Sequence, residues 1–369
     1  MQKIKIIVSG GGTGGHIYPA ISIANALKAK QSDIEILFVG AEGKMEMEKV
    51  PAAGYKIMGL PIRGLQRNFS KENLKFFSRL FKSLRKAKNI IKDFKPDAVV
   101  GVGGYASGPL LHAANKIGVP SLIQEQNSYA GITNKLLAKK ANKICVAYKG
   151  MERFFPAERI LMTGNPVRKD LAQIDELKEE AQKFFSLDPS KKTLLVIGGS
   201  LGARTINHSI IENIDALKDS DVQVIWQCGK FYHQEMKEKL AQAQVENIQL
   251  YDFLARMDLA YSAADLVISR AGAGTISELC LVKKACVLVP SPNVSEDHQT
   301  KNAMALVKQN AAIMIPDIQS RERLVKESLS LLEKDTELKN LRDNVALLAK
   351  PNAADDIADE IFKMIKRDI

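Results

Sequence analysis

The sequence predicts an α/β protein built from two doubly wound parallel sheets. Three observations lead there. Short apolar runs recur along the chain, each closed by glycines and followed by a helix-like stretch, which is the pattern of parallel β-α units. The pattern breaks at TGNPVRKDL (163–171) and then restarts. The 369 residues, at roughly 150 per domain, suffice for two domains with separate apolar cores.

The first strand is IKIIVSG (4–10), followed by a helix over about 20–30 and then by IEILFVG (34–40). DAVVGVGG (97–104), PSLIQEQ (120–126) and KICVA (143–147) continue the series. The Asn-Pro step in TGNPVRKDL disfavours helix at the preceding residue, so the chain is expected to cross between domains there. The second half supplies KTLLVIGGS (192–200), VQVIWQCG (222–229), NIQLYDF (247–253), DLVISRAG (265–272) and ACVLVPS (285–291), with helices over 205–214 and 231–243. After Pro351, apolar residues at 354, 357, 358, 361, 362 and 365 form a helix-spaced stripe within 353–367 that must pack on something, with the first domain as the expected partner.

Composition sets limits on function. Apolar residues make up 46% and charged residues 26%, ordinary globular proportions, and the net charge of +11 suits an anionic partner. The cysteines at 145, 228, 280 and 286 form no C-x-x-C pair and the five histidines show no H-x-x-x-H spacing, which argues against a zinc site or a disulfide framework. The apolar run before the first glycines is too short for a signal peptide core. The longest uncharged stretch, 98–115, carries four glycines and a proline, so no transmembrane helix is expected and the chain reads as cytoplasmic.

The chemistry concentrates in glycine loops. GGGTGGH (10–16) follows a strand and opens a helix, so its backbone N–H groups can face phosphate. Gly10, Gly12 and Gly15 also satisfy the dinucleotide fingerprint, but the end of strand two reads Phe38-Val39-Gly40 and lacks the ribose-binding acid. Three more loops leave strand ends: VGGYASGP (102–109), GGSLGAR (198–204) and SRAGAGTISE (269–278). Each could be only a tight turn needing positive φ; four together favour one ligand cleft beyond the carboxyl ends of both sheets. Glu278, about a turn into its helix, could chelate a ribose diol or merely favour the helix N-terminus. Arg168, Arg204 and Arg270 border these segments and could grip a pyrophosphate, or form surface ion pairs.

Seven motifs in order, GGTGGHIYPA (11–20), GGYASGP (103–109), EQN (125–127), TGNPVR (163–168), GGSLGAR (198–204), RAGAGTISE (270–278) and DHQTKNA (297–303), span nearly the whole chain. This set resembles the MurG family of glycosyltransferases, which adds N-acetylglucosamine to undecaprenyl-pyrophosphoryl-muramoyl-pentapeptide, lipid I, giving lipid II in peptidoglycan synthesis. The resemblance implies a GT-B architecture: two Rossmann-like domains facing an interdomain cleft. Residues 1–163, completed by the 353–367 helix, would hold the acceptor and face the membrane, and residues 164–345 would hold the donor UDP-N-acetylglucosamine. Glu278 would lie on the ribose and Leu254 beside uracil, with Ser200, Ala273 and Thr275 near the phosphates and Gly274, Ile276 and Ser277 in the same donor-binding run. Arg168 would approach the phosphates, Gln299 would bond sugar hydroxyls, and Thr13, Gly14, Gly15 and Asn127 would close the donor site from the acceptor side. Gly11, Gly12, Gly103, Gly104 and Tyr105 would hold the lipid-linked pyrophosphate. Gln124, Leu201 and Cys228 depart from residues frequent in the family; the first weakens any mechanism needing a second histidine there.

An α-linked donor and a β1→4 product imply one inverting displacement with one base, for which His16 and Glu125 are the candidates, although His16 could be a helix-start histidine bonded to backbone and Glu125 could instead orient Tyr105, Asn127 or the acceptor. Histidine titrates near working pH, and a carboxylate would serve if desolvated. Helix N-termini and Arg168 could stabilise departing UDP, so no metal or cofactor is required. Residues 71–95 hold nine Lys or Arg and two acids. At helical spacing Leu74, Phe77, Leu80, Phe81, Leu84 and Ile91 fall on one side, with Phe76 and Phe94 at the edge, and Lys75, Arg79, Lys82 and Lys86 on another. That suits a peripheral helix on the anionic cytoplasmic face of the inner membrane, or a core-packing helix with a solvated basic face. It does not form a stacking platform for nucleic acid. Other cell-wall synthesis proteins are conceivable partners. The competing functions are another UDP-sugar transferase, a non-catalytic nucleotide-sugar-binding protein and an NAD(P) oxidoreductase.

Overall fold

In a computed structural model, which describes residues 3–64, 71–199 and 201–365, the chain forms two compact units: Met1–Val167 with Pro351–Ile369, and Arg168–Lys350. The first contains a seven-stranded sheet of β1 (Lys5–Ser9), β2 (Glu35–Ala41), β3 (Lys56–Leu60), β4 (Ala98–Gly101), β5 (Ser121–Glu125), β6 (Lys143–Val146) and β7 (Ile160–Met162). Its order is β3-β2-β1-β4-β5-β6-β7, with every pair parallel. The second sheet comprises β8 (Lys192–Ile197), β9 (Val222–Gln227), β10 (Ile248–Tyr251), β11 (Leu266–Ser269), β12 (Ala285–Leu288) and β13 (Ile313–Met314), in the order β10-β9-β8-β11-β12-β13, also parallel.

The α/β class with two doubly wound parallel sheets is as predicted, and the ten predicted strands correspond to β1, β2, β4 to β6 and β8 to β12. The sequence did not point to β3, β7 and β13. β3 and β7 lie at the two edges of the first sheet with partly exposed residues, and β13 has two residues at an edge of the second. In β3 a lysine and a glycine interrupt the apolar run, and β7 and β13, at three and two residues, fall below the length by which a buried strand is recognised.

Both faces of the first sheet are covered. Ile7 enters one core with residues of α3 (Lys71–Phe94), α4 (Ser107–Ile117) and α5 (Ile132–Ala138), whose neighbours along the chain are α1 (Gly14–Lys30) and α2 (Glu46–Ala52). Ile6 and Val8 point the other way, toward Ile17 and Ile23 of α1 and toward the C-terminal helix Ala353–Ile365. That helix buries Ala354, Ile357, Ala358 and Ile361 there, and Asp359 pairs with Lys30 at 2.8 Å. The strand order reverses between β1 and β4 in one sheet and between β8 and β11 in the other. The four glycine loops leave these central strands, at the topological switch points where α/β sheets bind ligands.

Candidate functional site

In the first unit two glycine loops lie backbone against backbone. Gly104 has φ +85°, and a Cβ there would stand 2.4 Å from the Gly11 carbonyl oxygen. Gly103, at φ +103°, would put a Cβ 2.6 Å from Cδ2 and 2.8 Å from Nε2 of His16, so glycine is what lets the second loop meet the imidazole. The Ser107 hydroxyl donates to Ser9 O at 3.0 Å and to Gly103 O at 2.8 Å, tying the end of β1 to the β4 loop.

His16 sits in the first turn of α1, beside Thr13, Gly14 and Gly15, with Nδ1 3.0 Å from Gly11 O and 3.4 Å from Thr13 Oγ1. A carbonyl oxygen can only accept, so this contact assigns the proton to Nδ1 and leaves Nε2 with its lone pair in the neutral ring.

Glu46 is a site residue that the sequence reading missed. It opens α2 and is 1% exposed; Oε2 accepts from Gly12 N at 2.8 Å and Oε1 from Ala41 N at 3.0 Å. A Cβ on Gly11 would stand 2.1 Å from Oε1, and one on Gly40 2.6 Å from Cγ. The Gly12 N–H is therefore taken by a carboxylate of the protein and is not among those the loop can offer a phosphate. Gly12 contributes its φ of +86° instead. The bond spans 34 positions, and an acid six residues past the last glycine of β2 was the only cue.

Glu125 is not poised as a base. It is 2% exposed, and its carboxylate accepts from Asn127 N (3.1 Å), Asn127 Nδ2 (3.4 Å), Gly131 N (3.0 Å) and Asn134 Nδ2 (2.8 Å). With both oxygens engaged by four donors, it shapes the β5–α5 loop and holds Asn127. Gln124 donates to Asn165 Oδ1 at 2.9 Å, accepts from Gln126, and Asn165 donates to Gln126 O at 3.0 Å, a buried amide network joining β5 to the 163–167 segment. Tyr105 is exposed, with its ring over Gly64.

In the second unit Gly202 (φ +79°) would place a Cβ 2.0 Å from Cys228 O, so the GGSLGAR loop packs directly on the β9 turn. Ser200 lies outside the described residues. The helix Ala273–Leu281 begins after Gly272 with no side-chain cap and no acid in its first turn, so the positive end of its dipole is not offset by a residue of its own. A Cβ on Gly274 would meet nothing within 4 Å, and Thr275 lies in the same turn. Ile276 and Leu254 are buried in the core of this unit, 2% and 4% exposed. Ser277 donates to Ala273 O at 2.9 Å.

Glu278 is held by a partner that the sequence reading also missed: the Tyr261 hydroxyl donates to Glu278 Oε2 at 3.0 Å. Burial pushes the Tyr261 hydroxyl well above its usual pKa, Glu278 pushes it further and the Arg168 charge opposes, so it stays protonated as a donor. Gln299 accepts from Ser291 N at 2.8 Å. Arg270 is not disposed to grip a pyrophosphate: it pairs with Asp317 and donates to Val289 O (3.1 Å) and Pro290 O (3.3 Å). Arg204 is exposed at the start of its helix.

The basic helix α3 divides differently from the sequence reading. Ala87, Ile90 and Ile91 enter the core, with Phe76, Leu80 and Phe94 packed against it, whereas Phe77 and Phe81 project outward, each 71% exposed. Lys82 is exposed, Arg79 is partly so, and Lys86 pairs with Glu42 at 2.8 Å. The side chains of Leu74 and Lys75 lie outside the described residues. Ile132 and Leu136 of α5, in the same layer, are also exposed. No described helix is long and apolar enough to cross a membrane, and among the described residues no group of three His, Cys, Asp or Glu is placed to hold a metal ion.

Residues 6–146 match the glycosyltransferase family 28 N-terminal domain and residues 193–360 the glycosyltransferase family 28 C-terminal domain. The chain is 60% identical over 367 residues to the UDP-N-acetylglucosamine--N-acetylmuramyl-(pentapeptide) pyrophosphoryl-undecaprenol N-acetylglucosamine transferase of Parabacteroides distasonis, covering 100% of both. It is 57% identical to the protein of the same name from Phocaeicola vulgatus, over 98% of this chain and 97% of the relative. Among solved structures, Acinetobacter baumannii MurG superposes with a TM-score of 0.78 at 29% identity, over 98% of this chain and 99% of that one. With two parallel-sheet α/β units, the fold is GT-B, as the motif order implied. The chain belongs to glycosyltransferase family 28 and, within it, to the MurG family.

Proposed function

We propose that the chain transfers N-acetylglucosamine from UDP-N-acetylglucosamine to the C4 hydroxyl of the muramoyl sugar of undecaprenyl-pyrophosphoryl-muramoyl-pentapeptide, with inversion at the anomeric carbon. The observation that carries the chemistry is the Nδ1 contact of His16 to Gly11 O at 3.0 Å, which leaves Nε2 as the proton acceptor. The acceptor oxygen attacks C1 of the donor sugar, Nε2 takes its proton, and the bond from C1 to the UDP oxygen breaks. Positioned general bases contribute about 10²–10⁴-fold.

The second unit holds the donor. Glu278, steadied by Tyr261, receives the ribose diol; the N-terminus of Ala273–Leu281 and Arg168 face the phosphates, where charge grows as UDP departs. The Leu254 backbone borders uracil and Gln299 the sugar hydroxyls. In the first unit, Gly11, Gly103, Gly104 and Tyr105 border the acceptor pyrophosphate, and Glu125 positions Asn127, which with Thr13, Gly14 and Gly15 completes the donor contacts. The charge of departing UDP is met by groups of the chain itself, so turnover is expected to persist in EDTA.

The enzyme works as a peripheral protein at the cytoplasmic membrane face. Phe77 and Phe81, with Ile132 and Leu136, supply apolar contact, and Arg79 and Lys82 the attraction to anionic lipid. UDP release with a lipid I analogue tests the proposal across donor sugars. Turnover with UDP-N-acetylglucosamine that requires the acceptor supports it; binding that saturates without turnover, or preference for another UDP-sugar, contradicts it.

A further inference from the structure

We propose that Glu46 is a positioning residue for the transfer reaction, fixing the tautomer of His16 through the single peptide group between Gly11 and Gly12. The inference rests on the reading of His16 as the base. The Gly11 carbonyl that accepts from His16 Nδ1 at 3.0 Å and the Gly12 N–H that donates to Glu46 Oε2 at 2.8 Å are two ends of one amide. A planar trans amide points these groups in opposite directions, so holding the N–H end aims the carbonyl end. A carboxylate on the N–H also polarises the amide and makes its carbonyl a stronger acceptor, as hydrogen bonds in chain reinforce one another.

Glu46 is itself fixed. Its other oxygen accepts from Ala41 N at 3.0 Å at the end of β2, and the residue is 1% exposed, so water does not compete for either bond. Gly11 and Gly40 leave the space through which its side chain passes, since a Cβ on either would stand 2.1 Å from Oε1 or 2.6 Å from Cγ. The arrangement does by way of a peptide what a carboxylate does when it bonds the outer nitrogen of a working histidine directly: it keeps the proton on Nδ1 and Nε2 basic. Two backbone donors need two acceptors on one side chain. Glutamine offers a single oxygen and turns an NH₂ toward one of the two N–H groups, so Glu46→Gln keeps the shape but in either orientation loses one bond and the negative charge that polarises the Gly11–Gly12 amide.

The test is ¹⁵N NMR of ring-labelled histidine in the full chain, with His16 identified among the five histidines by its loss in His16→Ala, together with UDP release from a lipid I analogue. In the native chain neutral His16 carries its proton on Nδ1. In Glu46→Gln the Nδ1–H fraction falls and kcat drops by about 10–100-fold, the size of loss seen when an outer partner of a functional histidine is removed, while donor KM and UDP binding hold. Gly40→Ala, which displaces the Glu46 side chain without changing charge, moves both readouts the same way and serves if the glutamine variant does not fold. A native Nε2–H tautomer overturns the proposal, as does a folded Glu46→Gln that keeps both the Nδ1–H tautomer and full turnover. A shifted tautomer with unchanged turnover upholds the positioning and removes His16 as the base, which separates the two ideas.

Discussion

At the β1/β4 switch point the Gly12 N–H is closed off by Glu46 and the adjoining carbonyl carries His16, whereas at the β8/β11 switch point the carboxylate is that of Glu278, which lies within its helix and accepts from the Tyr261 hydroxyl. Both sheets share one strand order and send glycine-bearing loops from the same pair of central strands. In the first loop pair the Gly11–Gly12 peptide is engaged at both ends by side chains, Glu46 on its N–H and His16 on its carbonyl. The helices Gly14–Lys30 and Ala273–Leu281 alike begin without a side-chain cap or a first-turn acid, and what sets the second apart is a carboxylate about a turn in, braced by Tyr261. On the proposed function, one architecture prepares a base in one unit and an anion-and-ribose site in the other.

Breaking the contrast from the first side should give the largest effect. His16→Ala is expected to lower turnover by roughly two or more orders of magnitude, within the range of lost general-base catalysis, as read by UDP release. From the second side, Glu278→Ala should weaken UDP-N-acetylglucosamine binding by about 1.5–3 kcal/mol, the worth of hydrogen bonds to a charged group, or roughly 10- to 150-fold in a calorimetric titration. The contrast extends to the surface, where the first unit carries the basic, phenylalanine-bearing face of α3. Arg79→Gln combined with Lys82→Gln should cost about 2 kcal/mol of binding to phosphatidylserine vesicles, near thirtyfold, and less in high salt; unchanged vesicle binding would separate this helix from the membrane. The smallest change is expected from Tyr261→Phe, which removes one donor from Glu278: about 0.5–1.5 kcal/mol, a few-fold rise in donor KM with kcat kept.

Much of this plan was legible in the sequence because parallel strands buried on both faces announce themselves as apolar runs, and glycines mark the turns that follow them, with positive φ at Gly12, Gly103 and Gly202 among others. The stripe at 354, 357, 358 and 361 likewise read as a buried helix face, and those residues are packed in the core of the first unit. Other features had no local signature. Glu46 meets Gly12 across 34 positions and Tyr261 meets Glu278 across 17, so neither pair shows in any window of helix or strand length. Glu125 read as either a base or a group orienting Asn127, and spacing could not choose because it does not reveal the four donors that converge on the carboxylate. In α3 periodicity found an apolar side but could not say which phenylalanines faced the core: Phe76 and Phe94 do, while Phe77 and Phe81 face outward. Two apolar stripes on one long helix are equivalent until a sheet chooses between them.

The division of labour between the two switch points is tested most directly by titrating UDP calorimetrically into His16→Ala and Glu278→Ala side by side. The account predicts that His16→Ala binds UDP as the native chain does, despite its loss of turnover, and that Glu278→Ala binds it at least tenfold more weakly, by about 1.4 kcal/mol or more. Equal loss of UDP affinity in both variants, or native affinity in Glu278→Ala, would contradict it.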